Sequence, residues 1–423
     1  MSGHLLKEVT IPIFSGFIGY ATNWSGVWML FNPLQFKGFR LPGLRPLAHV
    51  LPRRIQQIPG VMQGGVGWQG IIPSRAAKMG SIAVDKGIAK VGSPSDFYER
   101  LEPQKIAEQI LVTSRRDMRE LVDRIMEREH PQLWHDLPPR VREAVHERVQ
   151  EQLPEIVQEV TERIGRNIDD LLDVKLMVIR HVEQHPELMN RVFLDVGKKE
   201  LDFIVRFGGV FGFVCGFPLI LITNAFPHWY VLPVLGTIVG YVTNWLAIWM
   251  IFEPNDPRKV WRWTVHGLFL RRQRQVADVY ATIVADEIVT VRNIGNELLH
   301  GPRADRTRAM IQNALRPAVD RATGSVQPLV RMAVGPREYD AIRDSLAAEG
   351  VDYTMTPLQD EEFNREQSRN VRELIADRVR EMSSRDFAEL LRSGMREDEW
   401  LLVLHGAVLG FGAGVIHLAI FGV

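Results

Sequence analysis

Thr22 and Asn23 sit inside the hexapeptide "GYATNW" (19–24), and Thr243 and Asn244 sit inside "GYVTNW" (240–245). Each pair brings a hydroxyl and a carboxamide, donors and acceptors without charge, into a stretch that is otherwise apolar. Two kinds of chemistry suit such groups. The amides can hydrogen-bond between helices as an adhesive, or the four side chains can form a polar intramembrane site for an ion or a lipid headgroup. No ionisable residue accompanies them, and sites that move solutes through a bilayer generally use one. That favours the adhesive. Trp24 and Trp28, like Trp245 and Trp249, lie four residues apart on one helix face, with Tyr20 and Tyr241 beside them. Interfacial anchoring or packing is the ordinary role for these rings, and stacking on a lipid is the alternative.

Other reactive groups are sparse. There is no metalloprotease helix motif, no nucleophile elbow and no phosphate-loop signature, although "GVMQGGVGWQG" (60–70) is glycine-rich. That segment reads as a flexible loop or a re-entrant turn. His405 and His417 do not share a helix face, so they predict no metal pair. The acidic run Glu397, Asp398, Glu399 reads as a solvated helix start, with a metal or partner site as the alternative. Cys215 is the only cysteine and lies in an apolar run, which excludes an internal disulfide. These residues predict no enzyme, no cofactor and no metal centre.

The elements that must position the polar pairs are apolar. Four stretches, 11–31, 207–226, 230–252 and 400–423, have the roughly 20 mostly apolar residues that a bilayer-spanning helix needs. Lys, Arg, Asp and Glu are absent from their interiors. Residues 1–10 read as an N-terminal tail without the basic region and cleavage site of a removable signal. Residues 32–206 and 253–399 are then long extramembrane helical regions on one side, and the short hairpin between the second and third spans lies on the other. Lys37, Arg40, Arg45, Lys198, Lys199 and Arg206 flank the first long region; Arg258, Lys259, Arg262, Arg392 and Arg396 flank the second. Positive charge near the membrane places both regions in the cytoplasm.

Similarity between the halves extends past the hexapeptides. "GYATNWSGVWMLFNP" (19–33) aligns without gaps to "GYVTNWLAIWMIFEP" (240–254), and "GIIPSRAAKMGSIAVD" has a fainter echo in "GLFLRRQRQVADVYAT". Gly208, Gly212 and Gly216 recur as Gly406, Gly410 and Gly414, each set at four-residue spacing. Small residues so spaced line one face and let helix backbones approach closely. The fold expected is an all-α integral membrane protein of two parallel repeats, its four spans in a tight bundle. Pro33 and Pro254 end their helices, since proline donates no backbone hydrogen bond.

Outside the spans, residues 141–171 carry an apolar stripe at steps of three and four, from Val141 and Val145 to Ile168 and Leu171, which predicts amphipathic helix. Pro154 is placed to kink or split it. The stripe suits packing on sister helices, or a groove for a lipid tail. Residues 350–368 lack apolar periodicity and read as a loop or mobile insertion. Lys plus Arg and Asp plus Glu balance at 51 each, so charge offers nothing to nucleic acid.

The motif "GYxTNWxxxxMxFxP", the following "GIIPSR", the glycine-repeat helices and "FAELLRSGMREDEW" resemble the bacterial membrane-protein family known as domain of unknown function 445, which includes YheB- and YjiN-like proteins. The resemblance covers essentially the whole chain. Two departures are Ser25-Gly26 where the second copy has Leu246-Ala247, and the missing proline in the second copy of "IIPSR". The resemblance implies a multi-pass protein of the bacterial inner membrane and carries over no activity, cofactor or catalytic residue. The expected role is non-enzymatic: a bundle anchoring a helical cytoplasmic module that binds membrane lipids or a protein partner, with homo-oligomers as an option. Transport through the Thr-Asn centre, or lipid transfer along an apolar groove, are the alternatives.

Overall fold

The computed structural model describes residues 2–40, 52–56, 58–62, 64–88, 92–260, 263–323, 331–332, 335–353, 356–392 and 395–421. Arg45 and Arg262, and the end of the 400–423 stretch, lie outside them. The chain is overwhelmingly helical and divides into two units. One comprises Met1–Gly87, Ile179–Tyr280 and Arg378–Val423; the other comprises Ile88–Val178 and Ala281–Asp377.

The first unit holds α1 (Ser2–Phe31) and, after it, an antiparallel ribbon of β1 (Lys37–Arg40) and β2 (Gly65–Trp68). A single helical turn (Ile71–Ser74) and α2 (Ala76–Ala83) follow. Helix α1 begins at Ser2, so residues 2–10 are not a tail: only Pro12 interrupts the hydrogen-bond ladder, and it sits inside the helix. Residues 60–70 are not a loop either. Pro59–Met62 is a helical turn and Gly65–Trp68 pairs with Lys37–Arg40, Gly38 facing Gly67 where any side chain would strike the opposite backbone. These strands are four residues long, too short for an alternating pattern to declare itself.

The second unit is wholly helical in its described residues. It contains α3 (Pro94–Arg100), α4 (Pro103–Glu129), α5 (Pro139–Leu171) and the start of α6 (Val174–Gln184). Helix starts are encoded locally. Ser93 and Asp96 form a reciprocal capping box before Pro94, and proline occupies the first turn of α4 and α5, where no amide hydrogen is needed. Pro154 does not split α5, which runs unbroken through it.

The chain returns to the first unit in α7 (Pro186–Ala225) and turns tightly into α8 (Val231–Phe252). A second ribbon follows, β3 (Arg258–Val260) with β4 (Trp263–Val265), then a single turn (Leu268–Arg271) and α9 (Gln273–Ile283). The expectation of an all-α chain is therefore corrected by two small ribbons. Both α1 and α8 end at the residues before Asn32-Pro33 and Glu253-Pro254. The second unit resumes with α10 (Val291–His300), α11 (Ala304–Thr323), α12 (Pro336–Tyr353) and most of α13 (Glu361–Glu381). The stretch 350–368, expected to be a loop, is therefore largely helix. Its inward positions Phe363, Gln367, Val371 and Ile375 keep the four-residue step, with a buried glutamine masking the apolar period. The first unit closes with α14 (Ser384–Arg392) and α15 (Glu399–Phe421).

Three helices, α7, α8 and α15, are long and apolar enough to cross a membrane. The apolar run of α1 is diluted by Ser15, Tyr20, Thr22, Asn23 and Ser25.

Candidate functional site

In the first unit the helices meet in two intimate pairs, α1 on α7 and α8 on α15, with lighter contact between the pairs. Glycine makes the intimacy possible. A Cβ at Gly19 would overlap the carbonyl of Gly208, one at Gly212 the carbonyl of Ser15, and one at Gly216 the backbone of Pro12. The second pair repeats these contacts with its own residues: Gly240 on Gly406, Gly236 on Gly410, and Gly414 on Pro233.

Asparagine fastens each pair. Asn23 Nδ2 donates to the carbonyl of Ile204 at 2.7 Å, and Asn244 Nδ2 donates to that of Leu402 at 2.6 Å. Thr243 Oγ1 donates to Val239 O within its own helix. Thr22, Asn23, Thr243 and Asn244 are all buried, while Tyr20, Trp24, Tyr241 and Trp245 point outward and are about half exposed. Between the pairs lies a small cavity of about 50 Å³ lined by those four buried polar residues, Ser15, His417 and apolar neighbours. At ≳10–15 Å³ per water it admits only a few waters. His417 packs edge-on against Phe14, and His405 instead hydrogen-bonds Ser25 Oγ at 3.0 Å. Cys215 is partly buried against an apolar cluster that includes Leu219 and Leu232. Asn23→Leu or Asn244→Leu removes a buried amide whose carbonyl partner still sits inside a helix. Each is expected to cost roughly 1 kcal/mol of helix association, the upper range for such bonds in membranes, read as a small fall in detergent melting temperature with the fold kept.

Where the chain leaves α1 and α8, geometry recurs that the sequence did not announce. Gly70 N donates to Pro33 O at 2.9 Å, and Gly267 N donates to Pro254 O at 3.1 Å. These contacts hold the single turns Ile71–Ser74 and Leu268–Arg271 against the helix ends, and an arginine follows each turn. Arg75 Nε lies 2.6 Å from Asp398 Oδ2, and Arg272 Nη1 lies 2.7 Å from Glu200 Oε1. Both carboxylates are deeply buried, their side chains 2% and 3% exposed. Glu200 is eight residues before Gly208 and Asp398 eight before Gly406, so the acids hold matching positions on α7 and at the start of α15. The pairing crosses over: the arginine after α1 meets the acid before α15, and the arginine after α8 meets the acid of α7. Burial pushes the Asp398 carboxyl up, outweighing the attraction of Arg75 and Lys78. The acidic run is thus divided: Asp398 is inside, Glu397 pairs with Lys78, and Glu399 pairs with Arg392. Among the described residues no three His, Cys, Asp or Glu side chains gather as metal ligands would.

The second unit has a different feature. Helices α4, α5, α11 and α12 pack each on the next, α5 on α11, α11 on α12, α12 on α4 and α4 on α5. The ring encloses a cavity of about 770 Å³. Its walls are the apolar stripe of α5 from Val141 to Ile164, Ile110 and Met118 of α4, Ile311 and Leu315 of α11, and Ile342 and Leu346 of α12. Exposed Val141, Ala144 and Arg148 mark an open side. At about 24 cal/mol per Å³, a dry void of this size costs on the order of 18 kcal/mol, above the ~5–15 kcal/mol by which folded domains are stable. Filling it with water instead leaves apolar walls wet at ~25 cal/mol per Å². The ring is shaped to be filled.

A UPF0754 membrane protein of Shouchella clausii is 36% identical over 77 residues, 16% of this chain and 20% of the relative. A UPF0754 membrane protein of a Synechococcus strain is 32% identical over 103 residues, 23% of this chain and 25% of the relative. The matched segments thus span a quarter or less of these relatives' length. No family model matches the chain, and no solved structure matches it. With three apolar helices of spanning length, the similarities support a membrane protein.

Proposed function

We propose that this chain is a non-enzymatic, multi-pass protein of the bacterial inner membrane, of the domain of unknown function 445 type, in which a four-span bundle anchors a cytoplasmic helical unit that binds lipid. Helix α1 is the fourth span. It buries Thr22 and Asn23 and turns Ile13, Phe17, Trp24 and Trp28 outward, as α8 buries Thr243 and Asn244 and turns out Ile238 and Trp245. Polar inside and apolar outside suits a surface bathed in lipid. The matched glycine contacts, asparagine bonds and crossed ion pairs support two parallel repeats of span, extramembrane region and span.

The observation that carries the role is the 770 Å³ cavity. Its apolar wall is a surface for holding a chain, not an arrangement for bond-making. Transport through the Thr-Asn centre has only the 50 Å³ cavity in its favour, and that space suits waters.

Topology is tested by single cysteines in a Cys215→Ser background, labelled with an impermeant maleimide. His228→Cys is expected to react from outside intact spheroplasts, and Lys37→Cys and Arg148→Cys only after permeabilisation. Labelling of Ser2→Cys and Lys37→Cys from the same side would remove α1 from the spans.

A further inference from the structure

We infer that the hollow ring of α4, α5, α11 and α12 is a binding site for one single-chain amphiphile, a free fatty acid or a lysolipid, with its hydrocarbon tail along α5. This deepens the proposed lipid-binding role and rests on it.

Three observations lead there. The volume sets the size of the occupant. A methylene fills about the ~30 Å³ that a water takes in the liquid, so about 770 Å³ accommodates roughly 25 carbons. One long acyl chain fits with room for part of a headgroup; the two tails of a phospholipid do not. The lining sets its chemistry. Side chains at Val145, Val149, Ile156 and Ile164 recur along one face of a continuous helix, giving the tail a long apolar track. The third observation is polar. Thr307 on α11 is fully buried in this wall, and its Oγ1 has no hydrogen-bond partner among the described residues; Gln152 Oε1 on α5 is buried without one as well. Buried polar atoms are normally satisfied. A hydroxyl donor suits a carbonyl or carboxylate oxygen, and a carboxamide oxygen suits a hydroxyl, so a tail ending in an ester or acid meets groups that a pure hydrocarbon would leave unpaired.

The cavity opens beside Val141, Ala144 and Arg148, where α5 is exposed. A ligand extracted from a bilayer enters there without unfolding the ring.

The full-length protein in phosphatidylcholine nanodiscs is photolabelled with a diazirine analogue of palmitic acid, and labelled peptides are mapped by mass spectrometry. Label is expected in 118–126, 141–164 and 342–346, saturating near one probe per protomer, as well as in the spans. Val145→Trp and, from the facing wall, Leu346→Trp fill the space. Each is expected to cut cavity labelling about tenfold while labelling of α7 and α8 is unchanged, which reports membrane insertion and folding separately. Label confined to the spans in the wild-type protein overturns the site. Equal cavity labelling by a diazirine phosphatidylcholine overturns the single-chain assignment and leaves lipid binding standing. Loss of span labelling would instead count against the membrane placement itself.

Discussion

Gly240→Leu is expected to leave no folded protein in detergent, and Gly19→Leu to do the same. A Cβ at Gly240 would overlap the carbonyl of Gly406, and one at Gly19 that of Gly208. In both cases the obstacle is the backbone of a partner helix, which no rotamer change can move. Overpacking into yielding side chains costs ~1–3 kcal/mol, and here the helix axes themselves must separate, which takes the neighbouring glycine contacts with them. The asparagine bonds would be lost in the same step, since Asn23 and Asn244 reach across the same two seams. Even Gly240→Ala should lower the melting temperature clearly. Gly412, on the same α15 with nothing within 4 Å of an added Cβ, supplies the control: Gly412→Ala is expected to be neutral. Size-exclusion profiles and thermal aggregation in detergent read the series. Equal behaviour of Gly240→Ala and Gly412→Ala would mean that α8 and α15 do not pack through these glycines.

Those seams were legible in the sequence because their signal is local. Glycines four residues apart and a duplicated Thr-Asn pair carry their meaning within one helix turn. The ends of the spans were legible at Pro33 and Pro254 for the same reason. What stayed hidden depends on partners far away along the chain. Nothing around Arg75 shows that its acid is Asp398, or that the match of Arg272 is Glu200 on the other closing helix. The stripe 141–171 declared an apolar face, but periodicity cannot say whether the facing helices touch it or stand back around a cavity. The short ribbons and the helix through residues 361–368 were missed because four-residue strands, and a buried Gln367 in an apolar row, blur the pattern on which such readings depend.

The crossed ion pairs lead to the other large expected effect. Asp398→Ala should destabilise the protein by ~3–5 kcal/mol, because it leaves the buried guanidinium of Arg75 without its countercharge. The double variant Arg75→Met with Asp398→Leu should recover most of that loss, since a buried pair often contributes little over an apolar replacement of similar volume. Glu200→Ala should cost less, as Arg272 is 26% exposed and can turn to water. Acid should separate the two sites further. Burial raises the Asp398 carboxyl above its ordinary 3.8. A carboxyl that is harder to ionise folded than unfolded costs stability while it is charged, and that cost is relieved as pH falls through its raised value. This one group therefore favours the folded state as pH falls from neutral towards 3.8, the sense opposite to an exposed paired acid such as Glu397, which Lys78 holds low. Asp398→Asn should remove that gain, and melting curves of the two proteins over this range should converge towards low pH if Asp398→Asn is the more stable at neutral pH. Parallel curves would mean that Asp398 titrates as an ordinary surface acid. A double variant no better than Asp398→Ala would show that charge, and not filled volume, is what the crossing between halves requires.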